Sequence, residues 1–357
     1  MTGKFIWTLF NQIKINDPFF DTLKADYPEF PEWFDKKSNA NEKAFIYQVN
    51  SQIKAFLYLK DEYEEIELTD KTLPKKKRLK IGTLKLSQDN RGLRLGEGAL
   101  GIALWRWQEK KYDEIYLTTF LKQQNIIGLV EKYGFKNIGK NIRGEEIYLK
   151  SKALLDYTSP YLSFPFINPN IEKSGILPIN DHFHDKLFVY SQLRQNNIEV
   201  EEITAGNGIT KIYIATPYDS LSYNIGEPLF VYRIHTGKGQ KTYISAITSF
   251  VTVADIVQIK KNNTYLKTFE EYKKILGNKT VFNDPELNTI YNSNRLNIVV
   301  LELLYNGYFG KGNNINHSWL SSNGLFNTYP YKITYNKQQF RTILKEGKKD
   351  VSNIIIN

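Results

Sequence analysis

The sequence predicts an α+β protein of two domains, and three observations lead there. Its 357 residues are 41% hydrophobic and 14% aromatic, enough for two buried cores at about 150 residues per domain. Up to Ser151, β-rich runs alternate with helical periodicity, whereas beyond about residue 200 short strands dominate and capped helices come late. Between them the periodicity lapses from Ala153, and Ser159, Pro160, Ser163, Pro165, Asn168, Pro169 and Asn170 mark a break. The expected division is a first domain over 1–151, a linker and approach segment over 152–199, and a second domain over 200–357.

In chain order, Lys4 to Phe10 is apolar and strand-like, and the Asn16-Asp17-Pro18 turn leads into a helical stretch from Phe19 to Asp26. Ala44 to Val49 and Ile53 to Lys60 form a hairpin around Asn50-Ser51-Gln52, left by the acidic run Asp61 to Glu67. A long strand spans about Arg78 to Leu86; the run Lys75-Lys76-Lys77-Arg78 before it reads as a solvated turn, with a nucleic-acid patch as the other reading. Ser87 to Gly96 then opens a helix from about Glu97 to Lys110, whose Leu100, Ala103, Leu104 and Trp107 share one face. Next come a strand from Glu114 to Phe120 and a helix from about Gln123 to Lys132 that closes on Tyr133-Gly134-Phe135. A hairpin of Lys136 to Gly139 with Glu145 to Lys150 completes the domain.

Composition narrows the chemistry. Cys is absent, which removes disulfides, thiolate nucleophiles and Cys-ligated metal sites. Only His182, His184, His235 and His317 are left for a His-centred site; Asp181-His182-Phe183-His184-Asp185 lacks a readable third ligand, so no metal is expected. The net charge of +10 divides evenly, with 26 basic against 21 acidic residues up to Ser151 and 22 against 17 beyond it. This excludes a basic tail. It leaves an anionic partner, RNA or a phosphorylated cofactor, beside the plainer reading of a basic surface kept for solubility. No apolar run approaches the about 20 residues of a membrane span, and the N-terminus has no signal-peptide pattern, so a soluble, cytoplasmic protein without a membrane partner is expected.

The most informative segment is Ser87-Gln88-Asp89-Asn90-Arg91-Gly92-Leu93-Arg94-Leu95-Gly96, set between a strand and a helix. Glycines let backbone approach a ligand, and the first amides of a helix lack intrahelical acceptors, so they and the positive end of the macrodipole point at an anion. Arg91 and Arg94 add charge to that cradle. The order of elements around Arg91-Gly92-Leu93-Arg94-Leu95-Gly96, with 16 residues between Gly96 and the Asp113-Glu114-Ile115-Tyr116 strand start, resembles the GNAT superfamily of N-acetyltransferases over about residues 1–151. The resemblance implies acetyl-CoA as co-substrate. Arg91, Gly92, Leu93, Arg94, Leu95 and Gly96 would line its pyrophosphate, and the backbone of Leu84 to Leu86 would pair with the pantetheine arm as a strand does with a sheet edge.

Two departures from the family pattern stand out. Arg94 occupies the place of the middle glycine, so either the loop is wider or the side chain reaches the adenosine phosphates. The position four residues before Gly134, where many members carry a tyrosine that reprotonates the leaving thiolate, is Val130. Tyr133 is the nearest hydroxyl, as replacement acid or as packing under the helix, and Glu62, Glu64 and Glu65 follow the hairpin strand where members often place a base. Tyr133 and Glu62 are therefore the catalytic candidates.

Beyond about residue 200, Ile209 to Ala215, Pro228 to Ile234, Thr242 to Val253, Asp255 to Ile259 and Asn297 to Leu304 read as strands. Thr268 with Glu271 caps one helix, Asp284-Pro285 starts a second and Asn336 caps a third. A small closed barrel with inserted helices buries so many short strands. The rhythm of Gly206 to Tyr213, Gly226 to Arg233 and Tyr329 to Ile333 resembles the PUA-like group, with its ASCH and EVE families, and implies a barrel that binds RNA or modified bases. Tyr232, Arg233, Lys238, Lys241 and Trp319 are the residues expected around an RNA groove, set against barrel core for Tyr232 and solvated loop for the lysines.

Both halves together resemble bacterial proteins that join a GNAT domain to a PUA-like domain in toxin and stress systems. The fusion implies an acetyl-CoA-dependent N-acetyltransferase whose barrel recruits RNA or a ribonucleoprotein, with a protein partner as a further expectation. The alternative is a non-catalytic RNA-binding regulator whose first domain senses CoA or serves as scaffold, for which Val130 is the best argument.

Overall fold

The computed structural model describes residues 5–87, 92–191, 193, 204–219 and 221–356. Arg91 lies outside the described residues. The chain is α+β, with a mixed sheet in each of two compact units that divide between Leu154 and Leu155.

In the first unit, strands β1 (Ile6–Leu9), β2 (Lys43–Val49), β3 (Gln52–Glu62), β4 (Arg78–Leu86), β5 (Glu114–Thr119), β6 (Lys136–Lys140) and β7 (Glu146–Ser151) form one sheet in the order β1-β2-β3-β4-β5-β7-β6. Every pairing is antiparallel except β4 with β5. Helices α1 (Asp21–Asp26) and α2 (Phe30–Asn39) precede the β2-β3 hairpin; α2 is an addition to the sequence expectation. Phe30 and Phe34 of α2 join Phe10, Phe20, Phe56 and Tyr58 in one cluster on one face of the sheet. The opposite face is covered by α3 (Leu95–Glu109), whose Leu100, Ala103, Leu104 and Trp107 are fully buried as their spacing requires. Helix α4 (Gln124–Lys132) follows β5 and buries Val130.

One ion pair anchors the middle of this sheet. Arg78 is 1% exposed; its Nε donates to Glu114 Oε2 at 2.7 Å, and its Nη1 and Nη2 donate to the carbonyls of Glu64 and Pro74, both at 2.8 Å. The run Lys75 to Arg78 therefore ends inside the protein, and Lys76 also reaches Glu114.

In the second unit, β8 (Ser174–Asn180), β9 (Thr210–Ala215), β10 (Pro228–Ile234), β11 (Ala246–Lys261), β12 (Ile298–Tyr308) and β13 (Thr334–Tyr335) follow the path β9-β12-β11-β10-β8-β13. Two further short strands, Thr264–Tyr265 and Ile315–Asn316, pair with β11. The described pairings leave β9 and β13 at the two ends of the path, so a closed ring, the expected PUA-like barrel, is not formed by them. β8 falls within the segment read as linker and approach; it pairs in parallel with β10 and is buried at six of its seven positions. β11 is continuous where two strands were expected, because register shifts beside Val253 and Asp255 absorb the polar residues without breaking the ladder. Helix α5 (Asp181–Leu187) follows β8. Capping boxes at Thr268, Asn283 and Asn336 open α6 (Phe269–Leu276), α7 (Asp284–Tyr291) and α8 (Lys337–Glu346), so the cap of α7 is Asn283 rather than Asp284.

Candidate functional site

The strand pairing of the first unit creates an opening. β4 and β5 pair in parallel only from Arg78 with Glu114 to Ile81 with Leu117, after which β4 continues to Leu86 bonded to β3 alone among the described strands. The β5-facing edge of Gly82 to Leu86 thus has no strand beside it among the described residues, and that edge needs hydrogen-bond partners. A register shift between Tyr58 and Leu59 leaves Gly82 as the extra residue of β4 at the start of the divergence, where a Cβ would lie 2.9 Å from Tyr58 Cδ1. Leu84 is half-buried and Leu86 38% exposed along the opening.

At the end of β4 the chain turns into α3. Gly92 has φ 93°, and Arg94, the residue before the helix, has φ 58° in the left-handed region with no side-chain cap. The amides of Leu95 and Gly96 open the first turn, where the helix supplies no acceptor. Gly96 lies against the strand end: a Cβ there would sit 3.0 Å from Leu86 Cδ1 and 3.6 Å from Leu129 Cδ2. Leu86 and Gly96 therefore meet at one corner, between a strand edge with no strand beside it among the described residues and a helix N-terminus, and Gly92, Leu93 and Leu95 are their near neighbours in sequence.

Arg94 does not extend into that corner. Its side chain is 6% exposed and folds onto Glu97, with Nη2 to Oε2 at 2.8 Å. Of the two sequence readings, a wider loop or an arm reaching outward, the pairing with Glu97 does not fit the outward arm, and the left-handed backbone at Arg94 is a conformation that glycine adopts more readily. Tyr133 is fully buried, its hydroxyl donates to Glu97 Oε1 at 2.7 Å, and its carbonyl accepts from Lys150. Its hydroxyl thus sits at the first turn of α3, on the carboxylate that Arg94 also holds.

Glu62, the last residue of β3, is buried opposite Arg78, at the closed end of the β4-β5 pairing. Lys60 donates to its Oε1 at 2.8 Å, and Tyr116 donates to its Oε2. Burial raises its pKa, but the hydrogen bonds from Lys60 and Tyr116 and the nearby Lys80 outweigh burial and hold the carboxyl below its usual range. It is a paired carboxylate, with both oxygens engaged.

Helix α1 reaches across the open end on the other face. Lys85 of β4 donates to Thr22 and lies over the Phe19 ring. Beyond β5, Tyr27 stacks on Phe120 at 6.1 Å, Lys122 pairs with Asp26 at 3.0 Å, and the Tyr27 hydroxyl donates to Glu145 at 3.1 Å. No sequence signal marks Tyr27 or Glu145, which meet across 118 positions.

In the second unit the five expected RNA-facing residues separate. Arg233 is 5% exposed and donates from Nε and Nη2 to Asp185, both at 2.8 Å, so it is an internal ion pair and not a groove cation. Tyr232 is buried with its hydroxyl 3.0 Å from His317 Nδ1, and burial pushes its pKa up to about 12. Lys238 and Lys241 are exposed, and Trp319 is half-buried against the core. The helices Lys241–Ile244 and His317–Ser322 pack together, which brings Lys241 and Trp319 onto neighbouring elements. Asp181 to Asp185 supplies no metal set: His184 is fully buried between Asp185 and Thr248, and Asp181 holds Thr236. Two adjoining cavities of about 230 and 160 Å³ share Asn168, Ile225 and Gly226, and none of the five lines either.

No known family model matches the chain, and no curated protein does. Among solved structures, it is similar to a GNAT-family acetyltransferase from Listeria monocytogenes, with 17% identity over 41% of this chain and 94% of that one, at a TM-score of 0.32. An N-acetyltransferase from Thermoplasma acidophilum in complex with coenzyme A matches at 16% identity over 40% and 91%, with a TM-score of 0.28. An ASCH structure from Zymomonas mobilis matches at 10% identity over 48% and 94%, with a TM-score of 0.30. The chain is thus similar to GNAT acetyltransferase structures and to ASCH structures alike.

Proposed function

We propose that the chain is an acetyl-CoA-dependent N-acetyltransferase whose second unit recruits RNA or a ribonucleoprotein, in the toxin or stress setting that the sequence resemblance implies. The observation that carries the first part is the divergence of β4 from β5 beside the N-terminus of α3. The edge of Gly82 to Leu86 suits the amide-bearing pantetheine arm, added as a strand, and the amides of Leu95 and Gly96 suit the pyrophosphate. Leu84 and Leu86 give the slot its apolar side. Acetyl transfer then needs a neutral amine held at the thioester and a path for its protons. Recruitment of RNA rests on the exposed Lys238 and Lys241 and on Trp319, whose helix packs on the one that Lys241 opens.

Calorimetry of the full chain with acetyl-CoA tests the reading. Micromolar binding is expected, reduced at least tenfold in Gly96→Asp, where a side chain meets Leu86 and a negative charge enters the cradle. Absence of binding by the unaltered chain overturns the proposal. A regulator that binds CoA without turnover is the second reading. It draws on Val130 at the position of the usual tyrosine and on the burial of Tyr133, the sequence candidate for the acid. RNA binding without any transferred acetyl label selects it.

A further inference from the structure

Glu145 is buried, at 7% exposure, immediately before β7. Its Oε1 accepts from the Tyr27 hydroxyl at 3.1 Å and its Oε2 from Asn141 Nδ2 at 2.8 Å, and both donors are neutral. Among the described residues, no basic side chain pairs with it. The acids of α1 and of the turn after it are matched, Asp21 by Lys24, Asp26 by Lys122 and Glu29 by Arg143. A carboxylate taken out of water is costly unless a cation or metal compensates it. Glu145 is the one carboxylate of this group that is buried, and the one that lacks a cation among the described residues.

Its position gives that deficit a meaning. Antiparallel pairing of β5 with β7 sets Thr119 opposite Glu146, which places Glu145 across from Phe120, past the end of β5 and beside the open end of the β4-β5 divergence. Tyr27 stacks on Phe120 and reaches Glu145, so α1, β5 and the start of β7 meet around this carboxylate. Burial and the Glu145 charge both push the Tyr27 hydroxyl above its ordinary pKa, so it remains a donor.

We propose that Glu145 receives the acceptor, a cationic primary amine, by taking its ammonium as the missing counter-ion and then accepting one of its protons. This rests on the acetyltransferase reading above. The ammonium gives one proton to the carboxylate, which frees the nitrogen lone pair for the thioester carbonyl. The C–N bond forms and the C–S bond breaks; a second amine proton ends on the departing sulfur, the third stays on the amide, and Glu145 returns its own to water. An amide and a free thiol result, with one proton released.

The test follows release of coenzyme A from acetyl-CoA by the full chain with three probe amines, spermidine, tyramine and N-α-acetyl-lysine amide, beside calorimetric binding of acetyl-CoA. At least one probe is expected to accelerate release, and Glu145→Gln to lower kcat/KM for it tenfold or more with acetyl-CoA affinity within twofold. Glu145→Asp, which keeps the charge, is expected to recover at least threefold over Glu145→Gln, and it carries the test if the glutamine variant does not fold. The proposal is overturned if Glu145→Gln keeps its rate within twofold, if Glu145→Asp recovers nothing, or if the unaltered chain binds acetyl-CoA yet responds to none of the probes. A chain that binds no acetyl-CoA overturns instead the reading on which it rests.

Discussion

Tyr133 and Glu97 meet 36 positions apart, the tyrosine hydroxyl donating to Oε1 at 2.7 Å while Arg94 holds Oε2 of the same carboxylate at 2.8 Å. The end of α4 and the start of α3 are tied through one side chain, which also holds Arg94 in its left-handed turn. A tyrosine in this bond has a structural task. Tyr133→Phe is expected to lower stability by about 1 kcal/mol, the net worth of a buried hydrogen bond. Urea unfolding measures that loss, and acetyl transfer is expected to stay within threefold. A hundredfold loss of transfer with unchanged stability would restore Tyr133 as the acid.

Arg78 and Glu114 form a buried pair, and removing one partner strands the other. Glu114→Gln is expected to cost about 3–5 kcal/mol, far more than loss of an exposed pair such as Lys36 with Glu32. Denaturant midpoints of Glu114→Gln and Glu32→Gln compare them directly, and equal losses contradict the assignment.

The Asp185 and His184 pair predicts acid sensitivity. Burial alone would raise the Asp185 pKa, but Arg233 and His184 outweigh it and lower it to about 2, whereas the unfolded side chain titrates near 4. The stability it contributes is full above about pH 4 and lost as pH falls toward 2. Burial lowers the His184 pKa against the pull of Asp185, so the unfolded histidine protonates first as pH drops through about 6.5, and stability begins to erode there. The unfolding free energies of wild type and Asp185→Asn are expected to differ by about 2 kcal/mol at pH 5 and to converge toward pH 2.

RNA binding, if the second unit provides it, must use exposed cations. Lys238→Glu with Lys241→Glu is expected to weaken binding and flatten its salt dependence, by roughly 0.7–0.9 in slope for each phosphate no longer neutralised. Arg233→Glu faces Asp185 instead and is expected to destabilise the fold. Filter binding of total tRNA between about 50 and 200 mM salt distinguishes them; a double lysine variant with unaltered affinity removes these residues from the interface.

Local signals carried most of the first unit and the capped helices of the second. The strand runs, the hairpin around Asn50-Ser51-Gln52, the helix after Gly96 and the capping box at Thr268 all depend on residues close in sequence. Partners at long range were not legible. Arg233 reads as a surface cation until Asp185, 48 positions earlier, is beside it, and Glu145 reads as ordinary until Tyr27 is. Ser174–Asn180 carries Gly175 and Pro178 and shows no alternation because it is buried on both faces, so it looks like a connector until its pairing with β10 is known.

The brief pairing of β4 with β5 also bears on how the first unit moves. Four residue pairs, from Arg78 with Glu114 to Ile81 with Leu117, are among the described residues the only ladder joining the β1-β2-β3-β4 half of the sheet to the β5-β7-β6 half. Such a seam is where a sheet breathes, and the two halves can open as separate cooperative blocks while each keeps its own hydrogen bonds. A ligand laid along Gly82 to Leu86 lengthens the seam without touching its core. Occupancy then becomes rigidity: the amides slowed most in hydrogen exchange would lie along the join, and the loaded protein would unfold as one block where the empty one unfolds as two.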